Sequence, residues 1–169
     1  APLTRSLPRA GKGSHRNITL RQPLTHYSGI PSEARPVYKT VKVKKKKKKV
    51  LVSGNLLQRI YTQPLESPPG RCFIYSDIGY VILGKAVENI SGESFDRFVT
   101  AKFLDPLGMS NTFFRPGRDR YGKIAASEEE RGGHYLCGSV QDPMTAYFNG
   151  VTGCAGLFST AHDLSRFAQ

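Results

Sequence analysis

The residues best placed to do chemistry are Tyr75, Ser76 and Asp77, which fall where the hydrophobic pattern of the chain changes its period. Phe73-Ile74-Tyr75 closes a short apolar and aromatic run after the turn signal Pro68-Pro69-Gly70, and from Ile78 onward apolar residues recur at Val81, Ile82, Ala86 and Ile90. That three-and-four spacing predicts a helix with one buried stripe. Ser76 and Asp77 stand at its start, where a short polar side chain can accept a bond from the first free N–H groups. Tyr75 therefore sits at a loop-to-helix junction, a place that can hold a phenol rigidly at the wall of a pocket. Near neutrality a phenol takes up a proton only where neighbouring cations lower its pKa. Without them the same pattern is a capped helix with a packed tyrosine.

Other reactive side chains are less well placed. Cys72, Cys137 and Cys154 cannot all pair within the chain, which excludes a disulfide scaffold, and Cys72 reads as a small buried hydrophobe. His134, Cys137, Cys154 and His162 make a faint Cys₂His₂ set, but the spacings are irregular and Cys154 lies in the glycine-rich stretch 150–156. No metal and no cofactor is expected. Gly153-x-x-Gly156 lacks a following Lys-Ser/Thr, so that stretch is not a phosphate loop, although its bare backbone could line a pocket.

Four stretches, taken in order, resemble the serine β-lactamase and penicillin-binding family, in particular its class C-like and esterase-like members. They are Ile18-Thr19-Leu20-Arg21-Gln22-Pro23-Leu24-Thr25-His26-Tyr27-Ser28-Gly29; Pro69-Gly70 through Gly84; Phe103-Leu104-Asp105-Pro106-Leu107-Gly108-Met109; and Gly156-Leu157-Phe158-Ser159-Thr160-Ala161-His162-Asp163-Leu164. They are spread along the chain from residue 18 to residue 164, and the likeness lapses over residues 32–54. The resemblance implies that Tyr75-Ser76-Asp77 matches the family's tyrosine motif, with Tyr75 catalytic and Asp77 in the substrate-binding position often held by Asn. Asp offers only acceptors where Asn also donates, so it would pair with a cation. His26 matches a histidine that packs the turn rather than serving as a base. Pro23 departs from the leucine usual in the family at that place.

The same resemblance implies an acyl-serine mechanism on a small amide or ester substrate, with the nucleophile in Ser-x-x-Lys and a closing Lys-Thr-Gly or His-x-Gly strand. None of these occurs in the 169 residues. In the family they lie upstream and downstream of the stretches present here, so the expectation is the central portion of such an enzyme, one incomplete domain over 1–169. An extracytoplasmic or periplasmic location goes with that family. The alternative is a catalytically inactive relative acting as a structural or interaction subunit.

The elements that must position these residues are mainly helices. Thr19 is expected to cap a short helix over Leu20–Thr25, ended by Ser28-Gly29. Leu56, Leu57 and Ile60 predict another short helix. After the helix that follows Tyr75, Ser91-Gly92 is a stop. Phe95, Phe98, Val99, Lys102 and Phe103 then predict a second amphipathic helix, packed on the first as a hairpin. Residues 115–135 read as a surface loop. Thr160 is expected to cap a last helix with Leu164 and Phe167 buried. The parent fold implied by the family is α+β, an antiparallel sheet covered by helices, of which the portion present should be mostly helical with long loops.

Charge marks one further segment. The net charge is +12, and six of those charges fall in Lys44–Lys49, leaving +6 elsewhere. Residues 32–54 therefore read as a disordered or exposed basic insertion, with nucleic acid or another acidic partner as a candidate contact. No aromatic residue interleaves the lysines, which weakens a single-strand stacking role. No apolar run approaches the length of a membrane span. Ala1-Pro2-Leu3-Thr4-Arg5 carries neither an initiator Met nor an apolar signal core, as expected of a processed or incomplete chain.

Overall fold

In the computed structural model the described residues are 1–7, 13–34, 38–43, 46–51, 56–130 and 133–169. They form two compact units, Ala1–Ile82 and Leu83–Gln169.

The first unit is built from short helices around an aliphatic core. Helix α1 (Leu3–Ser6) is tied to the next segment by Leu3 N–H donating to the Ile18 carbonyl at 2.8 Å. A 3₁₀ turn over Gly13–Asn17 follows, then α2 (Arg21–Leu24). Strands β1 (Tyr38–Val43) and β2 (Lys46–Leu51) pair antiparallel, Val43 opposite Lys46 and Lys42 opposite Lys47. Lys46–Lys49 thus lie on a strand, whereas Lys44 and Lys45 lie outside the described residues. Helix α3 (Leu56–Thr62) contributes Ile60 and Tyr61 to the interior. Helix α4 (Asp77–Ser91) starts where the spacing predicts and buries Ile78, Val81 and Ile82 almost completely, as Leu3, Ile18, Ile30 and Ile60 are buried. Burying each such side chain contributes about 1.5–3 kcal/mol.

The second unit begins within α4. Helix α5 (Phe95–Val99) runs into a π-helical turn over Thr100–Leu104. Strand β3 (Phe113–Phe114) pairs with β6 (Leu157–Phe158), stacking the Phe113 and Phe158 rings 6.5 Å apart. Between them come a 3₁₀ turn over Arg118–Lys123, the ribbon of β4 (Glu128–Glu130) with β5 (His134–Leu136), and α6 (Pro143–Tyr147). Helix α7 (Ala161–Phe167) closes the unit. Its interior is partly polar. Asp163, 1% exposed, accepts from the Asn111 N–H at 2.8 Å and the Thr112 hydroxyl at 2.9 Å, fastening α7 to the turn before β3.

Several expectations from the pattern are corrected here. Thr19 makes no side-chain cap. Instead the Gln22 side-chain oxygen accepts from the Thr19 N–H at 2.8 Å, the reciprocal half of a capping box. Helix α2 ends at Leu24, and the left-handed residue that turns the chain is His26 (φ 60°), three positions before Gly29. Ile90 is exposed, because the buried stripe of α4 stops at Ala86. Phe103 is exposed as well: the wide turn, in which Asp105 N–H reaches back five residues to Thr100, rotates it off the face set by the preceding helix. Helices α4 and α5 meet near their connection, through Phe95 against Gly84 and the Glu88 carboxylate accepting the Phe95 N–H, rather than along a hairpin. Residues 115–135 hold a 3₁₀ turn and ribbon strands rather than loop alone. Thr160 caps α7 as expected, but the side turned inward carries Asp163, leaving Leu164 and Phe167 exposed. Cys72 is exposed in the turn before Phe73, not buried.

Candidate active site

Within the first unit, two segments distant in sequence are bound edge to edge, and Tyr75 stands at their junction. The segment after α2 supplies carbonyls: Gly70 N–H donates to the Tyr27 oxygen (2.7 Å), Ile74 N–H to His26 (2.8 Å), Glu66 N–H to Gly29 (2.8 Å) and Asp77 N–H to Ser32 (3.2 Å). Side chains complete the seam. The Ser32 hydroxyl donates to the Tyr75 carbonyl at 2.6 Å, and the Ser76 hydroxyl donates to the Pro31 carbonyl at 2.6 Å while accepting from the Gly79 N–H at 3.1 Å. Ser76 is thus both the N-cap of α4 and a link to the other segment. Gly29 (φ 74°) allows the close approach, since a Cβ there would collide with the Ser67 carbonyl.

His26 occupies the centre. Its Nδ1 accepts from the Ser76 N–H at 3.1 Å, so that nitrogen carries no proton. Its ring lies 4.5 Å from the Tyr75 ring at a 33° tilt, with Tyr80 at 5.3 Å and Phe73 edge-on at 5.6 Å. The Tyr80 hydroxyl anchors this group to the Leu24 carbonyl at 3.0 Å. Tyr75 itself is 61% exposed, so it is held from one side by an aromatic neighbour and by its own backbone while the other side faces out. Asp77 opens the first turn of α4, where a carboxylate is favoured by the helix dipole.

The structure brings Tyr75, Ser76, Asp77 and His26 together. Cys137 donates to the Ile124 carbonyl at 3.2 Å, and Cys154 lies 3.1 Å from the Thr152 hydroxyl. Among the described residues no group of three or more His, Cys, Asp or Glu side chains could hold a metal ion. Ser32 and Pro31 were not foreseen as parts of the site. Their only sequence signal is the run Gly29-Ile30-Pro31-Ser32 following His26.

Comparison with known proteins shows the family of the chain. The model of the Beta-lactamase family matches residues 1–169. The chain belongs to the β-lactamase family. Relatives within it include proteins named "Putative D-alanyl-D-alanine carboxypeptidase": one from Escherichia coli (strain K12), 37% identical over 69% of this chain and 30% of its own length, and one from Salmonella typhimurium, 34% identical over 94% and 39%. Among solved structures, a class C β-lactamase superposes with a TM-score of 0.70 over 98% of the chain and 41% of its own, at 18% identity. The octameric penicillin-binding protein homologue from Pyrococcus abyssi gives 0.62 over 99% and 37%, at 23% identity. The fold is therefore that of the β-lactamase and penicillin-binding proteins, α+β with this portion mainly helical. The chain spans between 30% and 41% of the length of these relatives.

Proposed function

We propose that this β-lactamase-family chain is the central portion of a serine hydrolase that acts through an acyl-serine on an amide or ester, with Tyr75 catalytic and Asp77 substrate-binding. The observation that supports it most is the seam itself: a phenol fixed by backbone on both sides, lying against the tilted ring of His26 and open to an approaching substrate. A serine hydroxyl attacks a carbonyl only when a neighbour takes its proton, and later the leaving group must be given one. In this reading Tyr75 carries that proton, and its ring is pre-positioned so that little ordering remains to be done at the moment of reaction. Asp77, with acceptors only, meets a substrate amide N–H or a cation. A small peptide amide fits the names of the curated relatives.

The test uses a full-length protein that contains this chain together with Ser-x-x-Lys. Incubation with a β-lactam and with an activated ester, followed by mass spectrometry, should leave one acyl group on the serine of that motif and none within residues 1–169. Turnover without any trapped acyl group under quenched conditions would refute the acyl-serine step. A full-length protein that neither acylates nor turns over, but binds a polyanion through Lys44–Lys49, would replace the enzyme with the interaction subunit.

A further inference from the structure

We infer that His26 is a positioning residue for Tyr75 and Ser76, acting through its carbonyl, its Nδ1 and its ring face rather than as a proton acceptor in the reaction. The inference rests on the reading of Tyr75 given above. Three independent features of His26 converge on the same junction. Its backbone adopts φ 60°, in the left-handed region that non-glycine residues take up uncommonly, Asn, Asp and His more readily than others, and that recurs at functional sites. That twist turns its carbonyl to the Ile74 N–H at 2.8 Å, directly before Tyr75, and its ring nitrogen to the Ser76 N–H at 3.1 Å, directly after it. Its ring then covers one face of Tyr75 at 4.5 Å. The residue on either side of the phenol is therefore bonded to His26, and the phenol between them lies against its tilted ring.

These contacts also say what His26 does not do. Nδ1 is committed to the Ser76 N–H, and a second proton there would set a donor against a donor. A general base must be free to take a proton, whereas this nitrogen keeps its bond only without one. A residue that merely packed the turn would need neither the ring nitrogen nor the stacking face, since an apolar side chain would fill the same space.

Two variants separate the features. In His26→Asn, the side-chain oxygen falls near the place of Nδ1 and Asn tolerates the left-handed backbone, so the Ser76 bond is kept and the stacked ring is lost. In His26→Phe, the ring is kept and the acceptor is lost. In the 169-residue chain, ¹H–¹³C spectra of the tyrosine rings, with Tyr75 assigned by its absence in Tyr75→Phe, report the ring directly. His26→Asn should move the Tyr75 resonances and leave the Ser76 and Gly79 amides in place. His26→Phe should move those amides.

In a full-length enzyme, His26→Asn should lower kcat about 10²-fold, as small misplacements of a reacting group do, with KM within about threefold. Unmoved Tyr75 resonances together with parental kcat in folded His26→Asn would overturn the inference and leave His26 as turn packing. If instead the ring resonances move while Tyr75→Phe keeps full turnover, the positioning holds and the catalytic reading of Tyr75 falls.

Discussion

Replacing Ser76 with alanine removes two bonds by deleting one atom. The Ser76 hydroxyl caps α4 by accepting from the Gly79 N–H at 3.1 Å, and it satisfies the buried Pro31 carbonyl at 2.6 Å. Loss of an N-cap costs about 1 kcal/mol. Leaving a buried acceptor without a partner costs a further ~1–3 kcal/mol. Ser76 is 1% exposed, so water cannot replace the hydroxyl without opening the seam. The expected loss is therefore about 2–4 kcal/mol. Thr160→Ala provides the comparison. Its hydroxyl accepts from the Asp163 N–H at 3.2 Å on an exposed helix end, so its loss should cost only about 1 kcal/mol. Urea unfolding followed by amide exchange at Gly79 and Asp163 measures each locally. If Ser76→Ala cost no more than Thr160→Ala, Ser76 would be an ordinary cap, and the seam would not hold the Tyr75 junction as described.

Other outcomes follow from the same structure. His15 is 1% exposed and neither ring nitrogen makes a hydrogen bond among the described residues; burial pushes its pKa down, only partly offset by the nearby backbone of Gln63 and Tyr61. A base with a lowered folded pKa binds its proton more readily when unfolded, so stability is full above about pH 6.5 and falls as pH drops below it, by at most ~1.4 kcal/mol per pH unit. His15→Gln should flatten that acid limb, and identical slopes would show that His15 does not titrate on unfolding. The isolated 169-residue chain should take no covalent label from a β-lactam or fluorophosphonate probe, and stoichiometric labelling of any of its serines would show that it holds a nucleophile of its own. Replacing Lys44–Lys49 with serine should leave the melting temperature unchanged or slightly raised, because the strand register sets Lys42 opposite Lys47, a like-charge pair. A large fall in melting temperature would show that the run is part of the folded core.

The helix after Tyr75 and its cap were legible because period and capping chemistry agree: Ile78, Val81 and Ile82 repeat at helical spacing just where Ser76 can accept the first N–H. The last helix was legible in position but not in facing. Hydrophobicity alone turns Leu164 and Phe167 inward, whereas the bonds from Asn111 and Thr112 turn Asp163 inward, and those donors lie some fifty residues away in sequence. Phe103 was misplaced because a π-helical turn changes the period that its assignment assumed. At the site, Tyr75 and Asp77 could be named from the resemblance and the junction. The positioning proposed for His26 could not, since it rests on a positive φ and on a ring nitrogen that meets a backbone N–H fifty residues away.

The central claim is that Tyr75 carries the proton, and Tyr75→Phe in a full-length protein with measurable hydrolase activity tests it most directly. The substitution keeps the ring that lies on His26 and deletes only the hydroxyl, so folding and substrate binding should survive. General acid–base groups contribute ~10²–10⁴-fold in rate, so kcat should fall within that range while KM changes little. A kcat within about threefold of the parent would contradict the account and leave Tyr75 as a surface aromatic at the start of a capped helix.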